Sequence, residues 1–178
     1  MAYEVEIKAR ISAKEYTQMK KQLEQMAVDG GFYERHDVYF KKIGESEERL
    51  RLRKCSVKGV LLTYKERHTH EGVETNKEIE MEVSDMAKAQ AMLEALHYGV
   101  SFEKEKMMHL YTHDGIHYEL VEVAGLGLYI EIEKVVEEER DMQGIEQAKV
   151  QVREALSRLG VKPEQIEEKS YKKLLGYI

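Results

Sequence analysis

Polar and apolar residues alternate along several short segments of this chain, a pattern typical of strands with one apolar face. In residues 3–10 the alternation places four charged residues on one face: Glu4, Glu6, Lys8 and Arg10. The same period of two recurs at 48–54, 61–65, 78–83, 104–106, 117–123 and 130–133. These segments follow one another in hairpin-like runs, so the pattern predicts about eight strands in an antiparallel sheet.

Other segments carry apolar residues at helical spacing. They predict helices over 12–27, 85–98 and 138–159, and a short helix after Ser170. Ser12 and Glu15 form a capping-box pattern at the start of the first helix, and Gly99 is predicted to end the second. Three or four helices combined with an antiparallel sheet indicate an α+β fold.

Length and composition narrow the class of protein. The 178 residues fit one domain, predicted to span 1–178, and Cys55 is the only cysteine, so we expect no intramolecular disulfide. No N-terminal apolar run resembles a signal peptide and no apolar stretch is long enough to span a bilayer, so we expect a cytoplasmic protein without membrane contact. A formal net charge of −6 argues against a broad nucleic-acid surface. It leaves room for a local basic pocket that holds a small polyanion.

The charged strand faces have two interpretations. Each could face water, as in an ordinary half-buried strand. However, the charges are sorted by sign, since 78–82 and 131–133 are acidic whereas 49–53 and 104–106 are basic. If the amphipathic helices cover the outside of a curved sheet, these faces line a lumen. Carboxylates beside cations in such a lumen would suit a divalent metal holding a phosphate chain.

Several short motifs follow one another over nearly the whole chain. They are Glu4-Val5-Glu6-Ile7-Lys8, Asp37-Val38-Tyr39-Phe40, Leu50-Arg51-Leu52-Arg53, Leu62-Thr63-Tyr64-Lys65, Glu78-Ile79-Glu80, Glu103-Lys104-Glu105-Lys106 with Tyr111, the segment from Gly125-Leu126-Gly127 to Glu131-Ile132-Glu133, and 169–175. In this order they resemble the CYTH superfamily, also called triphosphate tunnel metalloenzymes. That superfamily includes class IV adenylyl cyclases, thiamine triphosphatases and inorganic triphosphatases.

The resemblance implies a closed antiparallel eight-stranded β-tunnel, or barrel, with a charged lumen and helices packed outside. It implies Mg²⁺ or Mn²⁺ as the cofactor, bound by the carboxylates of Glu4, Glu6, Glu131 and Glu133, with Glu78 and Glu80 as further acidic wall residues. The implied triphosphate-binding residues are Lys8, Arg51, Arg53, Lys65, Lys104 and Lys106. Glu4, Glu6 and Lys8 are the implied catalytic residues, and Ser170-Tyr171 is expected to pack near the tunnel mouth in a structural role.

Two positions depart from the family pattern. Lys106 stands where arginine is usual, which keeps the charge but loses the bidentate guanidinium fork. Val121 stands where the family often has a carboxylate. Glu122 could replace that carboxylate only if the strand register shifted, because neighbouring residues point to opposite faces. A weakened or altered catalytic site is therefore one of the alternatives.

The Gly-Leu-Gly turn and the Ser-Tyr-x-x-Leu-Leu tail are most similar to class IV adenylyl cyclases, which convert ATP to cyclic AMP and pyrophosphate. A triphosphatase that hydrolyses thiamine triphosphate or inorganic triphosphate is the alternative. A third hypothesis is a catalytically weak triphosphate-binding protein. The expected partner is ATP or another triphosphate, without nucleic acid, and a homodimer is possible.

His68 and His70 could place two imidazoles on one strand face for zinc. A closed zinc site needs further ligands, and no third residue has suitable spacing, so a polar hairpin turn is the favoured interpretation. Cys55 has no histidine partner in the sequence pattern and is expected to be a buried or incidental thiol.

Overall fold

Eight antiparallel strands close into a barrel in the computed structural model, which describes residues 2–137 and 142–177. The strands are β1 (Ala2–Arg10), β2 (Val28–Lys42), β3 (Glu48–Cys55), β4 (Gly59–His70), β5 (Val73–Val83), β6 (Tyr98–His113), β7 (Ile116–Val123) and β8 (Gly127–Val136). Their order around the barrel is β1-β5-β4-β3-β2-β6-β7-β8. The predicted α+β tunnel is therefore confirmed.

The described helices are α1 (Ala13–Met26), α2 (Met86–Ala95), α3 (Met142–Arg158) and α4 (Tyr171–Leu174), with a 3₁₀ turn at Pro163–Gln165. The predicted capping box is present at the start of α1. The Glu15 backbone N–H donates to Ser12 Oγ at 3.3 Å, and the Ser12 backbone N–H donates to the Glu15 carboxylate at 2.7 Å. These bonds satisfy two backbone donors that the first turn would otherwise leave unpaired.

The predicted helix boundaries concern the end of α2 and the start of α3. The expectation that α2 runs to Tyr98 and stops at Gly99 is wrong, because Gly99 already lies in β6 and pairs with Lys41. The chain leaves the helix earlier through His97, whose φ of 65° is left-handed. The predicted start of the third helix, at residue 138, lies outside the described residues, and the described helix begins at Met142.

The hydrophobic core lies between the barrel wall and the helices. Val5 and Ile7 of β1 point outward and belong to one buried cluster with Leu23 of α1 and Val152 of α3. Side chains alternate along a strand, so burying these residues outside the wall turns Glu4, Glu6 and Lys8 into the lumen. A shift of one residue would expose the apolar set to the lumen and the charges to the core, which fixes the register.

The fold also shows where Cys55 and the two histidines of the possible zinc site lie. Cys55 is buried. His68 and His70 are exposed residues at the end of β4, and the turn itself follows at Glu71 and Gly72. No helix in the described ranges is long and apolar enough to cross a membrane.

Candidate functional site

The barrel lumen is a cavity lined mainly by charged side chains. Within the described part of the chain, the lining contains ten basic and seven acidic residues. The basic residues are Lys8, Arg35, Arg49, Arg51, Arg53, Lys65, Arg67, Lys104, Lys106 and Lys172. The acidic residues are Glu4, Glu6, Glu48, Glu74, Glu119, Glu131 and Glu133. The lining thus has an excess of cations, although the whole chain has a formal net charge of −6.

A row of three carboxylates crosses one part of the lumen. Glu6 of β1 lies directly opposite Glu74 of β5 on one side and opposite Glu133 of β8 on the other. Directly opposed side chains of an antiparallel pair are close neighbours, and like charges there repel. Burial, together with nearby carboxylates including Glu131 and Glu74, raises the pKa of Glu6 to about 8. Burial and the Glu4 carboxylate raise the pKa of Glu133 to about 7.

Glu131, by contrast, is held as an anion. Its carboxylate accepts a hydrogen bond from Lys106 Nζ at 2.7 Å and another from the Tyr171 hydroxyl at 2.6 Å. Burial alone would raise the pKa of Glu131, but the Lys106 and Lys104 ammonium groups outweigh it and keep the pKa below its usual range. The lumen therefore contains carboxylates in two electrostatic conditions, some paired with cations and some crowded by other carboxylates.

Glu119 is a lumenal carboxylate that the sequence interpretation missed. It lies on β7 and forms ion pairs with Lys106 at 3.0 Å and with Arg35 at 3.3 Å. Val121, two residues further on the same face, lies in an apolar cluster with Tyr129. Glu122 is exposed and does not replace the missing carboxylate. The sequence does contain a signal for Glu119, because Glu119 follows the alternation of residues 117–123 and shares a face with Val121.

The phosphate-binding candidates are each held by a carboxylate or a hydroxyl. Arg53 donates two hydrogen bonds to Asp37, at 2.6 and 2.9 Å, and Lys104 lies 3.6 Å from the same carboxylate. Asp37 is fully buried, and these cations keep its pKa well below the usual range even though burial opposes them. Arg51 donates to the Thr63 hydroxyl at 3.0 Å. The lumenal cations are therefore preorganised in the ligand-free protein.

Lys65 and Lys8 show the same arrangement near the carboxylate row. Lys65 Nζ lies 3.2 Å from Glu4 and 2.8 Å from Glu78. Lys8 Nζ lies 3.4 Å from Glu74, and both side chains are buried. These cations would have to exchange their carboxylate partners for phosphate oxygens when a polyanion binds.

The C-terminal helix α4 lies against this charged wall. Besides the bond from Tyr171 to Glu131, the ammonium groups of Lys104 and Lys8 lie 4.7 and 5.6 Å from the centre of the Tyr171 ring. Lys172 donates to Glu48 at 2.8 Å. The motif Ser170-Tyr171 thus lines the cavity and contacts its charged residues directly.

The donor set of the lumen fits a hard divalent cation, although it is not assembled as a metal site. Within residues 2–137 and 142–177, no group of three or more carboxylate, imidazole or thiol residues is arranged to hold a metal ion. Carboxylate oxygens are the ligands that Mg²⁺ prefers. Several shielded polar atoms in these ranges also lack partners, among them Nε of Arg35, Nε of Arg51 and both amide atoms of Asn76. A bound charged ligand would satisfy such atoms.

Comparison with known proteins identifies the family. The model of the CYTH domain matches residues 2–171. The chain belongs to the CYTH domain family. A protein of Methanocaldococcus jannaschii, provisionally named an adenylate cyclase, is 29% identical over 97% of this chain and 98% of its own length.

Two solved structures are similar to this chain over nearly its whole length. A Pyrococcus horikoshii OT3 protein has a TM-score of 0.82 at 28% identity, covering 96% of this chain and 98% of that one. A Hippeastrum protein, described as an adenylyl cyclase candidate with a dominant triphosphatase activity, has a TM-score of 0.66 at 17% identity. The match covers 98% of this chain and 94% of that one. At that identity the second comparison shows the fold alone.

The CYTH lumen brings most of the predicted site residues together. The cavity is lined by Glu4, Glu6, Lys8, Arg51, Arg53, Lys65, Lys104, Lys106, Glu131 and Glu133. Two predicted acidic residues, Glu78 and Glu80, are not among the residues that line this cavity. Glu78 pairs with the lining residue Lys65 at 2.8 Å, and the Glu80 side chain is 41% exposed. The charged residues that sequence reasoning missed include Arg35, Arg67, Glu74 and Glu119 in the lining and Asp37, which holds Arg53. Whether the predicted residues bind substrate or metal stays a prediction.

Proposed function

We propose that this protein is a metal-dependent enzyme that acts on a triphosphate-bearing substrate inside the barrel. The observation that carries the proposal is the excess of basic over acidic side chains in the cavity of a protein whose formal net charge is −6. Cations concentrated in one cavity of an otherwise acidic protein favour a small, highly charged anion as the ligand.

The residues divide into two groups by the part of the ligand that they would bind. Lys8, Arg51, Arg53, Lys65, Lys104 and Lys106 would donate charge-assisted hydrogen bonds to phosphate oxygens. Glu4, Glu6, Glu131 and Glu133 would hold the divalent cation, Mg²⁺ or Mn²⁺, with Glu119 and Glu74 as neighbouring carboxylates. When bound, the cation supplies charge neutralisation and polarises the phosphoryl oxygens.

Binding would then be an exchange of partners within the lumen. Lys65, for example, now holds Glu4 and Glu78. If phosphate oxygens replaced Glu4 as the partner of Lys65, Glu4 would be free to hold the cation, and neither Lys65 nor Glu4 would be left buried without a partner. Most of the rate enhancement of phosphoryl-transfer enzymes comes from such positioning and charge neutralisation.

The finer proposal is an adenylyl cyclase of the class IV type. The ribose 3′-hydroxyl of ATP attacks the α-phosphorus, the bond to the bridging oxygen breaks, and pyrophosphate leaves while the hydroxyl proton passes to a base or solvent. The name of the Methanocaldococcus jannaschii relative, which is similar over the full length, supports this choice.

The second candidate is a triphosphatase, which directs water to the terminal phosphorus and releases orthophosphate. The reported triphosphatase activity of the Hippeastrum protein, which has the same fold, supports keeping this alternative. Both reactions use the same charged wall. The two reactions differ in the nucleophile, a ribose hydroxyl or water, and in the phosphorus atom that it attacks.

Product analysis tests the proposal. The protein is incubated with Mg²⁺ or Mn²⁺ and, separately, with ATP, thiamine triphosphate and inorganic triphosphate. Cyclic AMP with pyrophosphate supports the cyclase, whereas orthophosphate supports hydrolysis. Binding without turnover of any of the three would contradict an enzymatic function and support a binding protein.

Variants connect the activity to the lumen. Glu4→Ala and Glu6→Ala should abolish metal-dependent turnover while the protein remains folded, and Glu122→Ala should retain it. Glu122 is the matched control because it is an exposed carboxylate on the outside of the same barrel. Full activity in both lumenal variants would refute the proposed site.

A further inference from the structure

Asn76 differs from every other lumen-facing residue on its strand. It lies on β5 between Glu74 and Glu78, which both form ion pairs with lumenal lysines. Because residues two apart on a strand share a face, the Asn76 side chain points to the same lumenal side. Asn76 is also the only asparagine in the chain.

The Asn76 side chain is completely buried, with an exposed fraction of 0%, and it is unpaired. Neither its Oδ1 nor its Nδ2 has a hydrogen-bond partner within the described residues. Thr63, the other neutral polar side chain with 0% exposure, is fully paired, since it donates to Glu80 and accepts from Arg51. A buried amide without partners destabilises the ligand-free protein, and a ligand that paired with it would remove that cost.

The surroundings of Asn76 indicate which ligand it would meet. Its directly opposed strand partners are Glu4 on β1 and Arg67 on β4. It therefore stands between a proposed cation-binding carboxylate and a lumenal guanidinium. A carboxamide has both a donor and an acceptor, and its oxygen is a neutral hard ligand. A carboxylate at position 76 would add to the repulsion around Glu6. A basic side chain there would compete with Lys8 and Lys65 for their carboxylate partners.

We propose that Asn76 is a ligand-binding residue for the metal-complexed triphosphate. Its Nδ2 donates to a phosphate oxygen, and its Oδ1 is a neutral oxygen ligand toward the cation that Glu4 holds. This assignment rests on the proposed function. It adds to that function a neutral side chain whose donor and acceptor match both halves of the ligand.

Two substitutions test the assignment. Asn76→Val removes both polar atoms and keeps a strand-compatible side chain, and Asn76→Ala removes them without overfilling the site. Thr63→Val is the matched control, because it removes a hydroxyl of equal burial that already has its partners. The melting temperature is measured without ligand in the presence of a chelator, and the Kd of inorganic tripolyphosphate with Mg²⁺ is measured by calorimetry.

The expected pattern separates a ligand-binding role from a structural one. Asn76→Val should raise the ligand-free melting temperature, and both Asn76 variants should weaken tripolyphosphate binding by about tenfold, as for a lost hydrogen bond to a charged group. Thr63→Val should lower the melting temperature. A Kd within twofold of the wild type in both Asn76 variants would overturn the assignment. A loss of ligand-free stability in Asn76→Val would also overturn it, since that is the signature of a structural residue. If the wild type itself did not bind tripolyphosphate, the proposed function would fail as well.

Discussion

Binding of Mg²⁺ to the ligand-free protein near neutral pH should release protons. The reason is the carboxylate row, in which the pKa of Glu6 is raised to about 8 and that of Glu133 to about 7. A divalent cation binds carboxylates in their ionised form, so any proton held by these two groups has to leave when the cation binds.

The size of the effect follows from the two pKa values. At pH 7, Glu6 holds about 0.9 proton and Glu133 about 0.5, so binding that ionises both releases roughly one to one and a half protons per protein. At pH 9 the same groups hold only about 0.1 proton together. The apparent Mg²⁺ affinity should therefore increase from pH 6 to pH 8 and level off above it.

Calorimetry in two buffers with different ionisation enthalpies measures the released protons directly. Glu6→Gln should remove most of the release, whereas the exposed control Glu122→Gln should retain it. Equal binding enthalpies in both buffers at pH 7 would refute the electrostatic account of the row, because they would mean that no proton leaves.

The same pKa values determine how stability depends on pH. Both folded-state values lie above the ordinary carboxyl value of 4.5, so the native state keeps protons that the unfolded chain has released. The free energy of unfolding of the ligand-free protein should consequently decrease as the pH rises from about 4.5 to about 8, and Mg²⁺ should reduce this decrease. Urea titrations at several pH values, with and without Mg²⁺, measure this free energy of unfolding.

Three further changes test other parts of the structure. Asp37→Asn should lower the free energy of unfolding by about 3–5 kcal/mol in urea titration, since it leaves the largely shielded Arg53 without its counterion; a loss below about 1 kcal/mol would contradict this. Val121→Asp should cost on the order of 3 kcal/mol and give no gain in turnover, because the site is apolar and Glu119 already places a carboxylate on that face; higher turnover would support the weakened-catalysis hypothesis. Ser12→Ala should cost about 1 kcal/mol through the lost helix cap without changing substrate affinity.

The lumenal face of each strand was predictable because side-chain alternation is a local property. The charges of 3–10 indicated which residues share a face, and the fold places Glu4, Glu6 and Lys8 together in the lumen. The same rule could have found Glu119. The family motif places a carboxylate at Val121 and so does not indicate Glu119, whereas the alternation of 117–123 puts both residues on one face.

The pairing of charges across the lumen could not be predicted from the sequence. Glu6 lies opposite Glu133, and Lys8 opposite Glu131, because of the register between two strands more than 100 residues apart in the chain. Local sequence does not encode that register. The predicted end of α2 was wrong for a related reason. β6 begins at Tyr98, so Gly99 pairs in the sheet and is not part of the helix end.

The central claim, that the lumen binds a metal-complexed triphosphate, is tested most directly by the Kd of inorganic tripolyphosphate with Mg²⁺ in two variants of β3. Arg51→Gln removes a buried lumenal guanidinium, whereas Lys54→Gln removes an exposed charge from the outer face of the same strand. We expect Arg51→Gln to weaken binding at least about tenfold, as for a lost hydrogen bond between charged groups, and Lys54→Gln to leave it within twofold. Equal effects of the two substitutions, or none from either, would contradict binding in the lumen.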